Sequence, residues 1–336
     1  VAEVSGSSVT SVLSRVEGLF LGSALGEAIG LERARLAAGT GGPDDSPDDL
    51  VSFGSGTQLL LFGAEGLLIA ATAFAREGFC NPSVAVHHAY LRWLVTQGQR
   101  LPPASFAPDE PLGWLLDVEL LHRRFDEGSS CAQVLSTGLR GTLSHPAPAS
   151  AWRRLPQRLV ATGLLVPGVP LGAEPGEAFH LGREIAALLE GSPAALDQAG
   201  ALCVLVGALV AGATFAEALA VVAAQRVAAP RDAHDVGPSS DDPLEVALEI
   251  ASPEPTLSDG LRRAVEAAEP VPTAALVGGL LGASVGSEEV LGAGLGTLEG
   301  TEVILALAGD VAQLVSARDL GLEVASPDEA WRRLYG

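Results

Sequence analysis

Apolar positions recur along this chain with the three-to-four-residue period of helices, and in several stretches they run on almost without interruption. Between residues 11 and 30, Val12, Leu13, Val16, Leu19, Phe20 and Leu25 mark one helix. Residues 59–74 are almost entirely Leu, Ala, Phe, Ile and Gly, which predicts a helix buried on most sides, with Thr57 as its N-cap. Further helices are predicted over 83–95, 114–125, 131–140, 181–189, 193–211 and 214–224, and another after Thr273. Alternating strand patterns are sparse, and no Asn-Gly or Asp-Gly turn separates two of them. The pattern predicts an all-α protein.

Two of these helices carry glycines at four-residue spacing: Gly22, Gly26 and Gly30 near the start of the chain, and Gly278, Gly282 and Gly286 near its end. Each glycine costs about 1 kcal/mol of helix propensity relative to alanine. A glycine row on one face lets another backbone approach, so the two helices are expected to cross closely at the centre of the fold. Between the helices lie an acidic loop at 36–50 with Asp44, Asp45, Asp48 and Asp49, a proline-rich connector at 102–111 and an irregular segment at 142–172. The acidic loop lacks the alternating ligand spacing of a calcium loop and reads as a solvated turn. Residues 225–242 read as a mobile loop within a single domain spanning 1–336.

Composition narrows the function. The 336 residues carry 41 acids against 20 bases, all of them arginine, for a net charge of −21. Such a chain repels phosphate backbones and anionic bilayers, so neither nucleic acid nor membrane is an expected partner. Residues 199–216 hold no charge, but Asp197 and Glu217 bound them and no basic flank sets an orientation, so a buried helix is expected rather than a membrane span. Cys80, Cys131 and Cys203 are widely spaced and odd in number, as in a reduced, soluble, cytoplasmic protein, with Cys203 in the core. No basic stretch precedes an apolar one at the start, so no signal peptide is expected. His87 and His88 are adjacent and point about 100° apart on a helix, so they do not share a metal face.

Four stretches resemble one family. Residues 18–30, Gly-Leu-Phe-Leu-Gly-Ser-Ala-Leu-Gly-Glu-Ala-Ile-Gly, are similar to the opening helix of the ADP-ribosylglycohydrolases, with Glu27 where an aspartate is usual. Tyr90-Leu91-Arg92-Trp93 resembles the family's YLRW helix, residues 188–194 and 205–219 its THGDP segment and the helix start after it, and 275–286 a glycine-rich helix. The resemblance implies one helical bundle of the ADP-ribosylglycohydrolase type. It also implies hydrolysis of N- or O-glycosidic ADP-ribosyl bonds by two divalent cations, commonly magnesium, held by acids opening two helices. Magnesium wants near-octahedral oxygen coordination, and a pair needs several carboxylates.

Those acids are missing here. The first segment falls on Gly54, Ser55, Gly56 and Thr57, with no acid between Val51 and Gly63. In the second, the acid positions fall on Pro270 and Pro272, and Thr273 remains. The family's histidine falls in 189–193, where none stands, and of its methionine-arginine segment Arg158 and Gly163 are left. No metal is therefore expected. Glu27, Glu32, Ser55, Gly56, Thr57, Arg158 and Thr273 are the candidates for binding a ligand resembling ADP-ribose, and Glu27, Glu190 and Glu269 for any catalysis. Thr57 and Thr273 read equally well as helix caps, Glu32, Glu266 and Glu269 as surface residues, and Arg158 and Arg183 as members of ion pairs. A carboxylate at Glu27 on a core-facing helix needs a partner. Three readings follow: a pseudoenzyme that binds a small nucleotide-like or sugar-like molecule or a protein; a metal-independent enzyme using paired glutamates; and a metal-dependent hydrolase with ligands elsewhere.

Overall fold

Nearly all regular structure in the computed structural model is helix, and the model describes residues 11–39, 50–101, 113–125, 130–148, 156–166, 168–169, 171–228, 242–293, 297–319 and 329–336. In chain order the helices are α1 (Val12–Ala37), α2 (Ser55–Glu77), α3 (Pro82–Thr96), α4 (Ser130–Ser136), α5 (Pro156–Leu159), α6 (Pro175–Ala186), α7 (Pro193–Val210), α8 (Phe215–Ala228), α9 (Pro243–Ala251), α10 (Leu257–Ala264), α11 (Pro270–Val285), α12 (Ser287–Gly292), α13 (Thr301–Asp319) and α14 (Glu329–Tyr335). Among the described residues the only ladder is a parallel one of two short strands, β1 (Leu50–Val51) and β2 (Thr297–Leu298), with Leu50 opposite Thr297. The all-α expectation holds.

The two glycine rows explain how the ends of the chain meet. Helices α1 and α11 run antiparallel along four turns, with Gly18 against Gly282, Gly22 against Gly278, Gly26 against Ala274 and Gly30 against Pro270 and Val271. The expected close approach is therefore a continuous seam, not a single crossing. A Cβ on Gly22 would lie 2.1 Å from the Gly278 carbonyl oxygen, and one on Gly278 2.1 Å from that of Gly22. Only glycine admits this backbone contact, and the packing it allows offsets the propensity cost. Arg15 closes one end of the seam, donating to the carbonyls of Leu209, Ala283 and Ser284 at 3.2–3.3 Å, where α7 and α11 finish. The Ala283 and Ser284 carbonyls are among the last four of α11, which lack an intrahelical donor, while that of Leu209 also accepts from the Gly212 N–H.

Helix α2 is buried without a break from Gly56 to Thr72. Together with α7 it is long and apolar enough to cross a membrane by length and composition, yet 83% of each apolar window is buried inside the fold. Both serve as core helices here. Glu65 is the ionic exception within the buried stretch of α2. Its carboxylate meets Arg92 at 3.1 Å and accepts from the backbone N–H groups of Trp114 and Leu115 at 2.7 and 2.9 Å. Burial pushes Glu65 above the usual carboxylate range, while Arg92 and the two N–H groups pull the other way. Gly113, at φ +68°, lies so close over this carboxylate that a Cβ would strike it.

Several boundaries differ from the sequence expectation for stated reasons. The helix expected over 114–125 is instead two short 3-10 turns, Leu115–Asp117 and Glu119–His122. Its backbone is satisfied from α2: Glu65 takes the first N–H groups, and Gln58 donates to the carbonyls of Leu121 and Arg123. Helix α2 begins at Ser55 with Gly54 as N-cap, so Thr57 is not the cap. Helix α4 stops at Ser136, and Gly138 at φ +69° turns the chain away. The acidic loop begins only after α1 ends at Ala37, and Asp44, Asp45, Asp48 and Asp49 lie outside the described residues. Residues 225–228 of the expected mobile loop belong to α8, and 229–241 also lie outside the described residues.

Candidate functional site

The start of α2 is where the sequence analysis places a ligand, and a carboxylate of the chain itself is found there. Glu27, four per cent exposed on α1, aims both oxygens at this helix end. Oε2 accepts from the N–H of Gly54 at 3.0 Å, from the N–H of Thr57 at 2.9 Å and from the Thr57 hydroxyl at 2.6 Å. Oε1 accepts from the N–H of Gly56 at 2.9 Å. Four donors thus converge on one side chain. A helix N-terminus has unsatisfied N–H groups and a positive end of its dipole, and an anion is the group that satisfies both. Here the anion comes from α1.

Gln157, on α5, completes the arrangement by donating from Nε2 to the Thr57 hydroxyl at 3.2 Å. Gln157 carries no motif of its own in the sequence; the available signal is an amide directly before Arg158, in the segment where the family resemblance has a methionine. The two glycines flanking Ser55 acquire a reason from this packing. A Cβ on Gly56 would lie 2.2 Å from Gln157 Oε1 and 2.6 Å from Glu27 Oε1, and a Cβ on Gly54 would lie 2.8 Å from Glu27 Oε1. Aspartates at these positions therefore require Glu27 and Gln157 to swing away and give up their bonds. Ser55 between them is half-buried.

The other candidates are distributed more widely. Thr273 is buried in the first turn of α11 with no hydrogen bond to its hydroxyl. Helix α11 has Glu269 as its N-cap residue, Pro270 at the first position and Pro272 at the third. Two of its first N–H groups are thus absent, and this helix end is a poor anion site. Glu269 is half-buried and Glu266 exposed. Glu32 is exposed and stands 3.9 Å from Arg35 on the same helix, which places it on the surface, away from the Glu27 cluster. Glu190 is buried, but Oε1 accepts from the N–H groups of Gly191 and Ser192 and so holds the turn that leads into α7. Arg158 is buried and donates to the Cys131 thiol, and its Nε has no hydrogen bond. Arg183 pairs with Asp197 at 3.0 Å on a partly exposed flank.

The stretch that resembles YLRW has a structural role. Arg92 answers Glu65, and Trp93 donates its indole N–H to Gln58 at 2.8 Å, so α3 is locked to α2 by two buried polar contacts. The Tyr90 hydroxyl has no hydrogen-bond partner, and burial raises it above its ordinary range although Arg158 acts against this. Cys203 is buried and its thiol is pushed up to about 12, first by desolvation. None of the three cysteines is in a disulfide.

The side chains at these two helix starts do not fit the paired magnesium ions that the family resemblance implies. Glu27 is the carboxylate at the start of α2, and its oxygens already accept four hydrogen bonds, three on Oε2 and one on Oε1, whereas a pair of magnesium ions needs several carboxylates. At α11 the corresponding side chains are prolines. Among the described residues, no three histidines, cysteines or acids are grouped closely enough to share an ion.

Comparison with known proteins places the fold. The profile of the family described as ADP-ribosylglycohydrolase matches residues 8–320. A solved structure titled "ADP-ribosylglycohydrolase-related protein complex" superimposes with a TM-score of 0.57 at 21% identity, covering 91% of this chain and 99% of the other. No curated protein sequence matches the chain. With its profile matched over nearly the whole length and its all-helical architecture shared, the chain belongs to the ADP-ribosylglycohydrolase family.

Proposed function

We propose that this chain keeps the family's fold without its metal-dependent hydrolysis and acts by binding, as a pseudoenzyme. The observation that carries this reading is Glu27: the helix end that would open onto a metal-held substrate is closed by the chain's own carboxylate through four hydrogen bonds. A two-metal site needs several carboxylates with free lone pairs, and this one has been turned inward. The replacements are also mutually consistent. Gly54 and Gly56 leave the room that Glu27 and Gln157 fill, and Pro270 and Pro272 remove both acids and N–H donors from the second helix start.

Two measurements on the purified protein test this. Release of ADP-ribose from N- and O-linked ADP-ribosyl substrates is expected to stay at the uncatalysed rate with or without millimolar magnesium. Titration of ADP-ribose in a calorimeter is expected to give the same result, bound or unbound, in both conditions. Magnesium-stimulated turnover, or binding that appears only with magnesium, sinks the proposal and restores the hydrolase. Turnover without metal replaces it with the glutamate-based enzyme.

A further inference from the structure

Arg158 is a buried cation without a carboxylate. Arg92 meets Glu65, Arg123 meets Glu299 and Arg183 meets Asp197, whereas Arg158, five per cent exposed on α5, meets no acid among the described residues. A guanidinium cannot give up its charge inside a protein, and burying that charge unpaired is costly. What Arg158 does meet is the Cys131 thiol, to which Nη1 donates, while its Nε has no partner. Cys131 belongs to α4, is four per cent exposed and is in no disulfide.

Two other acidic groups belong to the same cluster, and neither balances the guanidinium. Tyr90, from α3, is fully buried with its hydroxyl unpartnered, and Arg158, Cys131 and Cys203 all act on it electrostatically. Burial raises that hydroxyl above its ordinary range, so it stays neutral. Cys203, from α7, is fully buried, faces the Leu159 carbonyl and has its thiol pushed up to about 12 by desolvation. Cys131 is the acidic group that touches the charge.

We propose that Arg158 holds Cys131 as a thiolate and that this sulfur is a site of oxidation by hydrogen peroxide. A guanidinium beside a thiol favours the ionised sulfur, and the ionised sulfur is the nucleophile. The sulfur attacks one peroxide oxygen, an S–O bond forms as the O–O bond breaks, and hydroxide leaves to take a proton from solvent. The thiolate is oxidised to a sulfenic acid and the peroxide is reduced to water. The added oxygen is an acceptor, placed in a cluster that holds two unpartnered donors, the Nε–H of Arg158 and the Tyr90 hydroxyl. Helix α4 lies at the surface, with Gln133, Ser136 and Thr137 exposed, so a reagent little larger than water has a short path to Cys131. No part of this depends on whether the family's hydrolysis survives.

The test follows each cysteine of the full chain by peptide mass spectrometry. Between pH about 6.5 and about 9, iodoacetamide should alkylate Cys131 of the folded protein at a rate that changes less than about threefold, against more than about tenfold for the same residue in urea. Burial scales the whole profile but does not flatten it, so the shape reports the thiolate. Hydrogen peroxide followed by catalase, then unfolding in dimedone, should leave the sulfenic-acid adduct on Cys131 and not on Cys203. Arg158→Lys keeps the charge and should keep the flat profile, whereas Arg158→Met should restore the steep one. If a thermal melt shows Arg158→Met unfolded, the wild-type profile decides alone. A steep profile in the folded wild type, no reaction of Cys131 with either reagent, or a flat profile that survives in folded Arg158→Met overturns the proposal. So does equal labelling of Cys203, which would mean that the chain opens rather than that Cys131 is activated.

Discussion

At the scale of single residues, the chemistry turns on where buried polar groups find partners. Glu27 is held by four donors, and hydrogen bonds to a charged acceptor contribute about 1.5–3 kcal/mol each when a partner is removed. Glu27→Gln keeps the shape but turns an amide NH2 toward backbone N–H groups. It is expected to cost about 2–4 kcal/mol in urea unfolding, and a cost near zero would refute the capping role. His87 gives a pH signature. It is buried with its Nε2 unpartnered, and desolvation, with His88 and Arg140 adding to it, lowers its pKa from 6.5 to about 4. The folded state therefore holds a neutral ring, and the unfolded chain takes up a proton first. The stability this represents is complete above pH 6.5 and is lost as pH falls toward 4, by up to about 3 kcal/mol. Unfolding midpoints of the wild type and His87→Gln should converge as pH drops through that window.

At the scale of elements, the glycine seam between α1 and α11 reverses the usual rule for helical glycines. Gly309 lies within α13 with nothing within 4 Å of an added Cβ, so Gly309→Ala should stabilise by about 0.5–1 kcal/mol. Gly22→Ala puts a methyl 2.1 Å from a backbone carbonyl oxygen that cannot rotate away, and the helices must part. Overpacking of that kind costs about 1–3 kcal/mol or more. Thermal melts of the two variants should shift in opposite directions. The spacing of Gly22, Gly26 and Gly30 was legible as a demand for close approach, and its partner row was legible too. The antiparallel sense and the length of the seam were not, because spacing along one helix carries no information about the direction of another. The helix expected at 114–125 failed for a related reason. Its backbone groups are claimed by Glu65 and Gln58 from a distant part of the chain, and local propensity does not register such a bid.

At the scale of the whole molecule, a net charge of −21 works against compaction through self-repulsion. Raising sodium chloride from about 20 mM to about 500 mM shortens the Debye length from roughly 20 Å to about 4 Å, and the melting temperature should rise by several degrees. A flat or falling response would mean that local ion pairs such as Arg123 with Glu299 outweigh the repulsion. Family and fold class could be read from the sequence alone, because helix periodicity, glycine rows and four motifs in order survive the loss of particular side chains. The absence of acids at Gly54, Ser55, Gly56, Pro270 and Pro272 was equally plain. What occupies their place was decided only in three dimensions. Glu27 and Thr57 are thirty residues apart, and Gln157 lies a hundred beyond Thr57, so no local pattern links them. Their meeting depends on α1, α2 and α5 being packed into one core, which brings a carboxylate, a helix end and an amide within hydrogen-bond range.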